Sequence, residues 1–209
     1  ISDDGLGSTI CGVGTCQVMV QSCVNGQVQA CSPGAPGVES CNGLDDDCNG
    51  QVDDGLPTVL PIGIGLGLVG ISTYGHDIGG YQSGTNPPAD KELYFRWTEL
   101  GAWSPVMRTH HGTKPKQQWS WRSDAETIAH FRRYAQLHIA LVPFFESLAQ
   151  TAAHKGLPMW RGLMISFPDD AAVWPIVDEV MLGDGLLLAP VMAKGATSRP
   201  VYLPKGSWY

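Results

Sequence analysis

The sequence predicts an α/β unit preceded by a small, acidic, disulfide-rich module. Three observations carry that expectation. All six cysteines fall in residues 1–57, together with eight carboxylates, no Lys or Arg and no aromatic residue. All seven Trp, five Phe and six Tyr come after residue 73. A helical period over residues 123–155 then gives way to short apolar runs broken by Gly and Pro, as when helix is followed by antiparallel β.

Charge and hydropathy exclude several classes. Residues 1–57 carry a formal −8 and the other 152 residues +1, so the net −7 offers no electrostatic footprint for nucleic acid or an anionic membrane surface. The long apolar run Val59 to Ile71 is shorter than the roughly 20 residues that span a bilayer and is diluted by Gly63, Gly65, Gly67 and Gly70. It reads as a buried element, and no membrane insertion is expected. The chain starts at Ile1 with neither a basic segment nor an apolar leader, so its natural N-terminus is expected upstream.

The first segment, residues 1–57, has ten Gly and few large aliphatics and cannot build much core, so covalent or metal cross-links must replace burial. Cys11, Cys16, Cys23, Cys31, Cys41 and Cys48 form an even set without C-x-x-C spacing, a disulfide framework of an oxidising compartment with fifteen possible pairings. Asp45, Asp47, Asn49 and Asp53 place side-chain oxygens at loop positions 1, 3, 5 and 9, with Gly50 at 6 and the Gln51 carbonyl at 7. That is a calcium-loop pattern, because alternate residues of a tight loop converge their oxygens on one point. Position 12 is Leu56, so Asp54, Glu39 or water must complete the shell. A solvated acidic turn is the plainer alternative. The string CNGLDDDCNGQVDDG, Cys41 to Gly55, resembles the MopE-like metal-binding repeats of bacterial secreted and surface proteins, which implies an extracellular or cell-surface setting and calcium or copper as the ion. The segment has no His and a single Met, Met19, which favours calcium.

In the second segment, Val69 to Gly75 reads as a short buried strand that runs into Gly75-His76-Asp77-Ile78-Gly79-Gly80-Tyr81, a glycine turn from which an acid and an aromatic emerge. Glu92 to Pro105 has helical spacing (Leu93, Trp97, Leu100), and Met107 to Gly112 leaves it as a short strand or loop. Adjacent His110 and His111 cannot both face one site in extended backbone, so a metal centre of His76, Asp77, His110 and His111 is disfavoured. Ser123-Asp124-Ala125-Glu126 reads as a capping box opening a helix through Ile128, Phe131, Ala135, Leu141, Phe145 and Leu148, kinked at Pro143 and ended by Gly156 and Pro158. Leu186 to Val191 and Pro200 to Leu203 read as β.

GHDIGGY (Gly75 to Tyr81), LGAWSPVMRTHHG (Leu100 to Gly112), GLPMWRGLMISFPDD (Gly156 to Asp170), DEVMLGDGLLLAPV (Asp178 to Val191) and VYLPKGSWY (Val201 to Tyr209) together resemble glycoside hydrolase family 31, the α-glucosidase and α-xylosidase family. The resemblance covers residues 60–209 and implies the C-terminal portion of a (β/α)8 TIM barrel over residues 58–157, leading into the start of a β-sandwich over 158–209. It implies retaining hydrolysis of an α-glucoside or α-xyloside, needing no cofactor for the chemistry. Asp77 and His110 match positions that hydrogen-bond the sugar, Tyr81 an aromatic that lines it, and Arg108 an Arg near the pocket with a structural role. Asp169, Asp170, Asp178 and Asp184 match junction positions serving turns and packing, while Gly162 and His138 stand where the family has Pro and Arg. The family's nucleophile and acid/base strings have no counterpart in this chain, so no residue inherits either role.

A whole barrel takes about 250 residues. Half of one exposes strand edges, so another chain or the remaining barrel is expected as a partner. The alternative function is a secreted metal-binding module joined to an inert barrel remnant.

Overall fold

In the computed structural model, which describes residues 7–37, 44–46, 48, 56–81, 88–112 and 116–209, the chain separates into two units, Ile1–Gly55 and Leu56–Tyr209. In the first unit β1 (Ser8–Cys11) pairs antiparallel with β2 (Val18–Gln21), and β3 (Cys23–Val24) with β4 (Gln27–Val28). The second hairpin turns on Asn25 and Gly26, both at positive φ (53° and 76°), the backbone that an Asn-Gly pair adopts at least cost. Ile10, Val13, Met19 and Val28 are exposed, and disulfides stand in for a core: Cys11–Cys31 and Cys16–Cys48, with Cα atoms 6.0 and 5.8 Å apart. Cys23 is a free thiol, which departs from the full pairing expected of six cysteines, and Cys41 lies outside the described residues.

The second unit opens with α1 (Leu56–Leu68), which buries Val59, Leu60 and Ile64. Its glycines mark a close approach to the strand that follows the longest helix. A Cβ on Gly63 would stand 3.0 Å from the Trp160 ring, and one on Gly67 3.2 Å from the Trp160 carbonyl. The expected strand over Val69 to Gly75 is not formed. Those first residues close α1 instead: Gly70 takes a left-handed φ of 93°, its N–H donates to Gly67 and the Ile71 N–H to Leu66, satisfying carbonyls at the helix end. Val69 and Ile71 are exposed, and the strand, β5, is Gly75–Asp77.

α2 (Lys91–Ala102) starts at Asp90, whose carboxylate accepts from the Leu93 N–H at 2.9 Å, and buries Tyr94, Trp97, Thr98 and Gly101 on one helical stripe. β6 (Val106–Arg108) then returns parallel to β5. A 31-residue helix, α3 (Ala125–Lys155), continues through Pro143 and ends at Gly156, φ 70°. Its cap is Asp124, which accepts from the Thr127 N–H at 2.7 Å; Ser123, expected to lead the capping box, instead accepts from the Ser120 N–H. Phe145 and Leu148 reach the core, whereas Ile128 is part-exposed.

An antiparallel three-stranded sheet follows, β7 (Trp160–Gly162), β8 (Val180–Leu182) and β9 (Leu186–Leu188), with a short helix, α4 (Leu163–Ser166), after β7. Pro200 to Leu203, read as β from the sequence, forms no strand. It is held by side chains, since the Tyr202 N–H donates to Glu179 at 2.9 Å and its hydroxyl to Asp170 at 2.8 Å. Asp178 pairs with Arg199 and Asp184 with the buried Arg161, the packing roles expected of them. One apolar core joins α1, α2, α3 and the later sheet through Leu60, Ile78, Tyr94, Leu100, Phe145, Trp160 and Leu182. Among the described residues the parallel sheet has two strands and no closed barrel.

Candidate functional site

Strand alternation divides the residues of β5 between two faces. His76 turns into the core. The Trp97 indole N–H donates to its Nδ1 at 2.6 Å; an indole can only donate, so the ring proton sits on Nε2, which faces the Ser104 hydroxyl at 2.9 Å. Ser104 in turn donates to the Leu100 carbonyl. Burial outweighs the neighbouring Asp77 charge and pushes the imidazole down to about 4. His76 is therefore a neutral core group.

Asp77 points to the opposite face, at the C-terminal end of β5. Its register partner across the parallel pair is Arg108, the last residue of β6. The guanidinium grips both carboxylate oxygens, from Nε to Oδ1 and from Nη2 to Oδ2 at 3.1 Å. The carboxylate raises the Arg108 pKa, chiefly through the hydrogen bond. Arg108 Nη2 also lies 3.4 Å from His110 Nδ1. Since a guanidinium only donates, that nitrogen accepts, which leaves a proton on Nε2. After β5 the ladder extends one step, Ile78 N–H to the Arg108 carbonyl at 3.0 Å. Gly79 and Gly80 then take φ values of 85° and 80°, which β-carbon residues rarely adopt, and the chain reverses to bring the Tyr81 ring 4.9 Å from that of His110.

The three residues expected to hold sugar, Asp77, Tyr81 and His110, are thus brought together, with Arg108 joining them as a fourth. The cluster offers carboxylate lone pairs, outward N–H donors, a hydroxyl and an exposed aromatic face. Such a set suits a polyhydroxylated ring, whose C–H face packs on the aromatic and whose hydroxyls both donate and accept. Asp77 is the one carboxylate among these four residues, and Arg108 engages both of its oxygens. The resemblance put Arg108 near the pocket with a structural role; its partner Asp77, 31 residues away, meets it only through strand register.

In the first unit Asp45 is 6% exposed, and its carbonyl accepts the Thr15 N–H at 2.9 Å. Asp47, Asn49, Gln51 and Asp53 lie outside the described residues. Among the described residues no group of three His, Cys, Asp or Glu side chains is placed to hold a metal ion.

Residues 45–148 match the glycosyl hydrolases family 31 TIM-barrel domain, and residues 156–209 the glycosyl hydrolase family 31 C-terminal domain. The sulfoquinovosidase of Escherichia coli (strain K12) is 36% identical over 164 residues, covering 78% of this chain and 24% of that protein. Alpha-glucosidase 2 of Bacillus thermoamyloliquefaciens is 34% identical over 155 residues, covering 73% and 19%. Among solved structures, a GH31 family sulfoquinovosidase from E. rectale in complex with an aza-sugar inhibitor superposes with a TM-score of 0.70 at 31% identity, covering 80% of this chain and 24% of that one. The chain thus spans about a quarter of the length of the sulfoquinovosidases it matches.

Proposed function

The chain belongs to glycosyl hydrolase family 31, and from that premise we propose that Asp77, Tyr81, Arg108 and His110 form a sugar-holding wall of an α-glycosidase pocket. The observation that carries this reading is the Asp77–Arg108 pair flanked by His110 and Tyr81 where two parallel strands end, the end of a barrel strand at which catalytic sites are built. Asp77 accepts from sugar hydroxyls while Arg108 holds its carboxylate in plane, the His110 Nε2–H donates, and Tyr81 covers one face of the ring.

Retaining hydrolysis needs two carboxylates about 5–5.5 Å apart, one as nucleophile and one as acid and then base. The wall supplies neither. Its contribution is orientation: fixing the ring converts an encounter into an in-place reaction and favours a flattened, positively charged ring beside Asp77. The substrate class is an α-linked hexopyranoside or pentopyranoside. The names of the relatives put sulfoquinovosides beside the α-glucosides and α-xylosides that the sequence implies.

Calorimetric titration of this chain with methyl α-glucoside, methyl α-xyloside and methyl α-sulfoquinovoside tests the reading. Binding of at least one sugar is expected, weakened about tenfold or more in Asp77→Ala, as for loss of a charged hydrogen-bonding partner. No p-nitrophenol should be released from the aryl α-glycosides. Hydrolysis by the purified chain that is abolished in Asp77→Asn would instead place catalysis within these residues and sink the reading.

A further inference from the structure

The turn after β5 is clasped by the residues that follow β6. The Gly112 N–H donates to the Tyr81 carbonyl at 2.9 Å, and His111 Nδ1 lies 3.1 Å from the Gly80 carbonyl. A carbonyl only accepts, so His111 carries a proton on Nδ1, while its Nε2 is buried with no partner. A histidine held with one nitrogen stranded is held for what the other does, and here the other fixes the carbonyl next to Tyr81. Gly112 acts through what it lacks. A Cβ there would stand 2.6 Å from Tyr81 Oη and 2.7 Å from its Cε1, so the tyrosine ring occupies the space that any other residue would fill. Farther along, the same two loops are joined again: the Ala89 N–H donates to the Gln118 side chain at 2.7 Å, and the Trp119 N–H to the Ala89 carbonyl at 3.1 Å.

We infer that His111 and Gly112 are positioning residues that set the location and tilt of the Tyr81 ring against His110. The inference rests on the sugar-holding reading for its consequence, since a displaced Tyr81 is a displaced wall. Its geometric part stands apart from that reading. His111 thus acts through the Gly80 carbonyl, while its neighbour His110 meets the Tyr81 ring directly.

The test uses the whole chain with ring-labelled tyrosine and nitrogen-labelled glycine, read by NMR, and methyl α-glucoside as the probe. His111→Phe removes the donor and keeps the bulk; His111→Asn restores an N–H at the Nδ1 position. His111→Phe is expected to speed exchange of the Gly112 amide at least tenfold, shift the Tyr81 resonances and weaken the sugar severalfold, with recovery in His111→Asn. Gly112→Ala, which pushes the ring directly, should shift the same resonances and weaken the sugar with His111 intact. Unchanged Gly112 exchange and Tyr81 resonances in His111→Phe overturn the inference, as does equal damage in His111→Asn, which would make the role one of packing alone. Should His111→Phe fail to fold, unshifted Tyr81 resonances in Gly112→Ala overturn it. A wild-type chain that binds no sugar yet shows the exchange and rescue pattern upholds the positioning of Tyr81 and defeats the sugar-holding reading.

Discussion

At the scale of single residues, the two faces of β5 have different relations to protons. His76 is neutral and buried, its pKa pushed down to about 4 mainly by burial. Between the ordinary histidine value and that level the unfolded chain takes up a proton that the folded chain refuses. Its contribution is therefore intact above the unfolded value, near pH 6.5, and is lost progressively as pH falls toward 4. The shift corresponds to about 3 kcal/mol over that window. Urea midpoints should fall with pH through it, and His76→Asn, which keeps an acceptor for the Trp97 indole but does not titrate, should flatten the slope. Parallel pH profiles for the two proteins would show that other groups control acid unfolding. Asp77, one residue on, belongs to the opposite face, where its engagement by Arg108 makes it a fixed acceptor.

At the scale of elements, α1 shows that one residue type carries opposite signs. Gly70 caps the helix at φ 93°, with nothing within 4 Å of the position a Cβ would take. Gly65 sits in the exposed helix interior, also with nothing within 4 Å. Gly70→Ala should cost about 1–2 kcal/mol through the left-handed backbone alone. Gly65→Ala should add about 0.5–1 kcal/mol, because alanine loses less chain entropy on entering a helix. Chemical denaturation of both variants checks the pair, and like signs would mean that the helix ends elsewhere. The same cap explains which elements the sequence revealed. α2 and α3 were legible because their apolar period is a local feature, although the sequence put the α3 cap one residue early, at Ser123. β5 was misplaced because Val69 to Ile71, an apolar run that looks like strand, is spent closing a helix. Three-residue strands have no period to read. Asp77, Tyr81 and His110 were legible as motif residues, whereas the parts of Arg108, His111 and Gly112 depend on pairings across about 30 residues that no window of sequence contains.

At the scale of the whole molecule, the residues leading up to α3 and the sheet beyond it share one core. Trp160 shows how. It is 2% exposed on β7, its indole donates to the Trp103 carbonyl at 3.0 Å beyond α2, and its ring meets Tyr74 edge-on at 5.7 Å. Trp160→Ala should cost about 3–5 kcal/mol by opening a cavity, before any loss from the stranded carbonyl. Residues 1–57 contain no aromatic, so the tryptophan bands of the near-ultraviolet circular dichroism report on the second unit, apart from the broad disulfide signal of the first. One transition, moved as a block by the substitution, is expected; two separate transitions would divide the helices from the sheet.

The parallel pairing of β5 and β6 has a consequence for how the chain folds as well. Three residue pairs are little to align two strands whose partners are 31 residues apart, yet only one alignment sets Asp77 beside Arg108. Slipping either strand by one residue would bring Arg108 level with His76 or Ile78 and turn a charged group toward the apolar side. The ion pair is thus a key cut for one lock. Its weight falls on register: both one-residue neighbours of the native pairing would carry a charge to the apolar side.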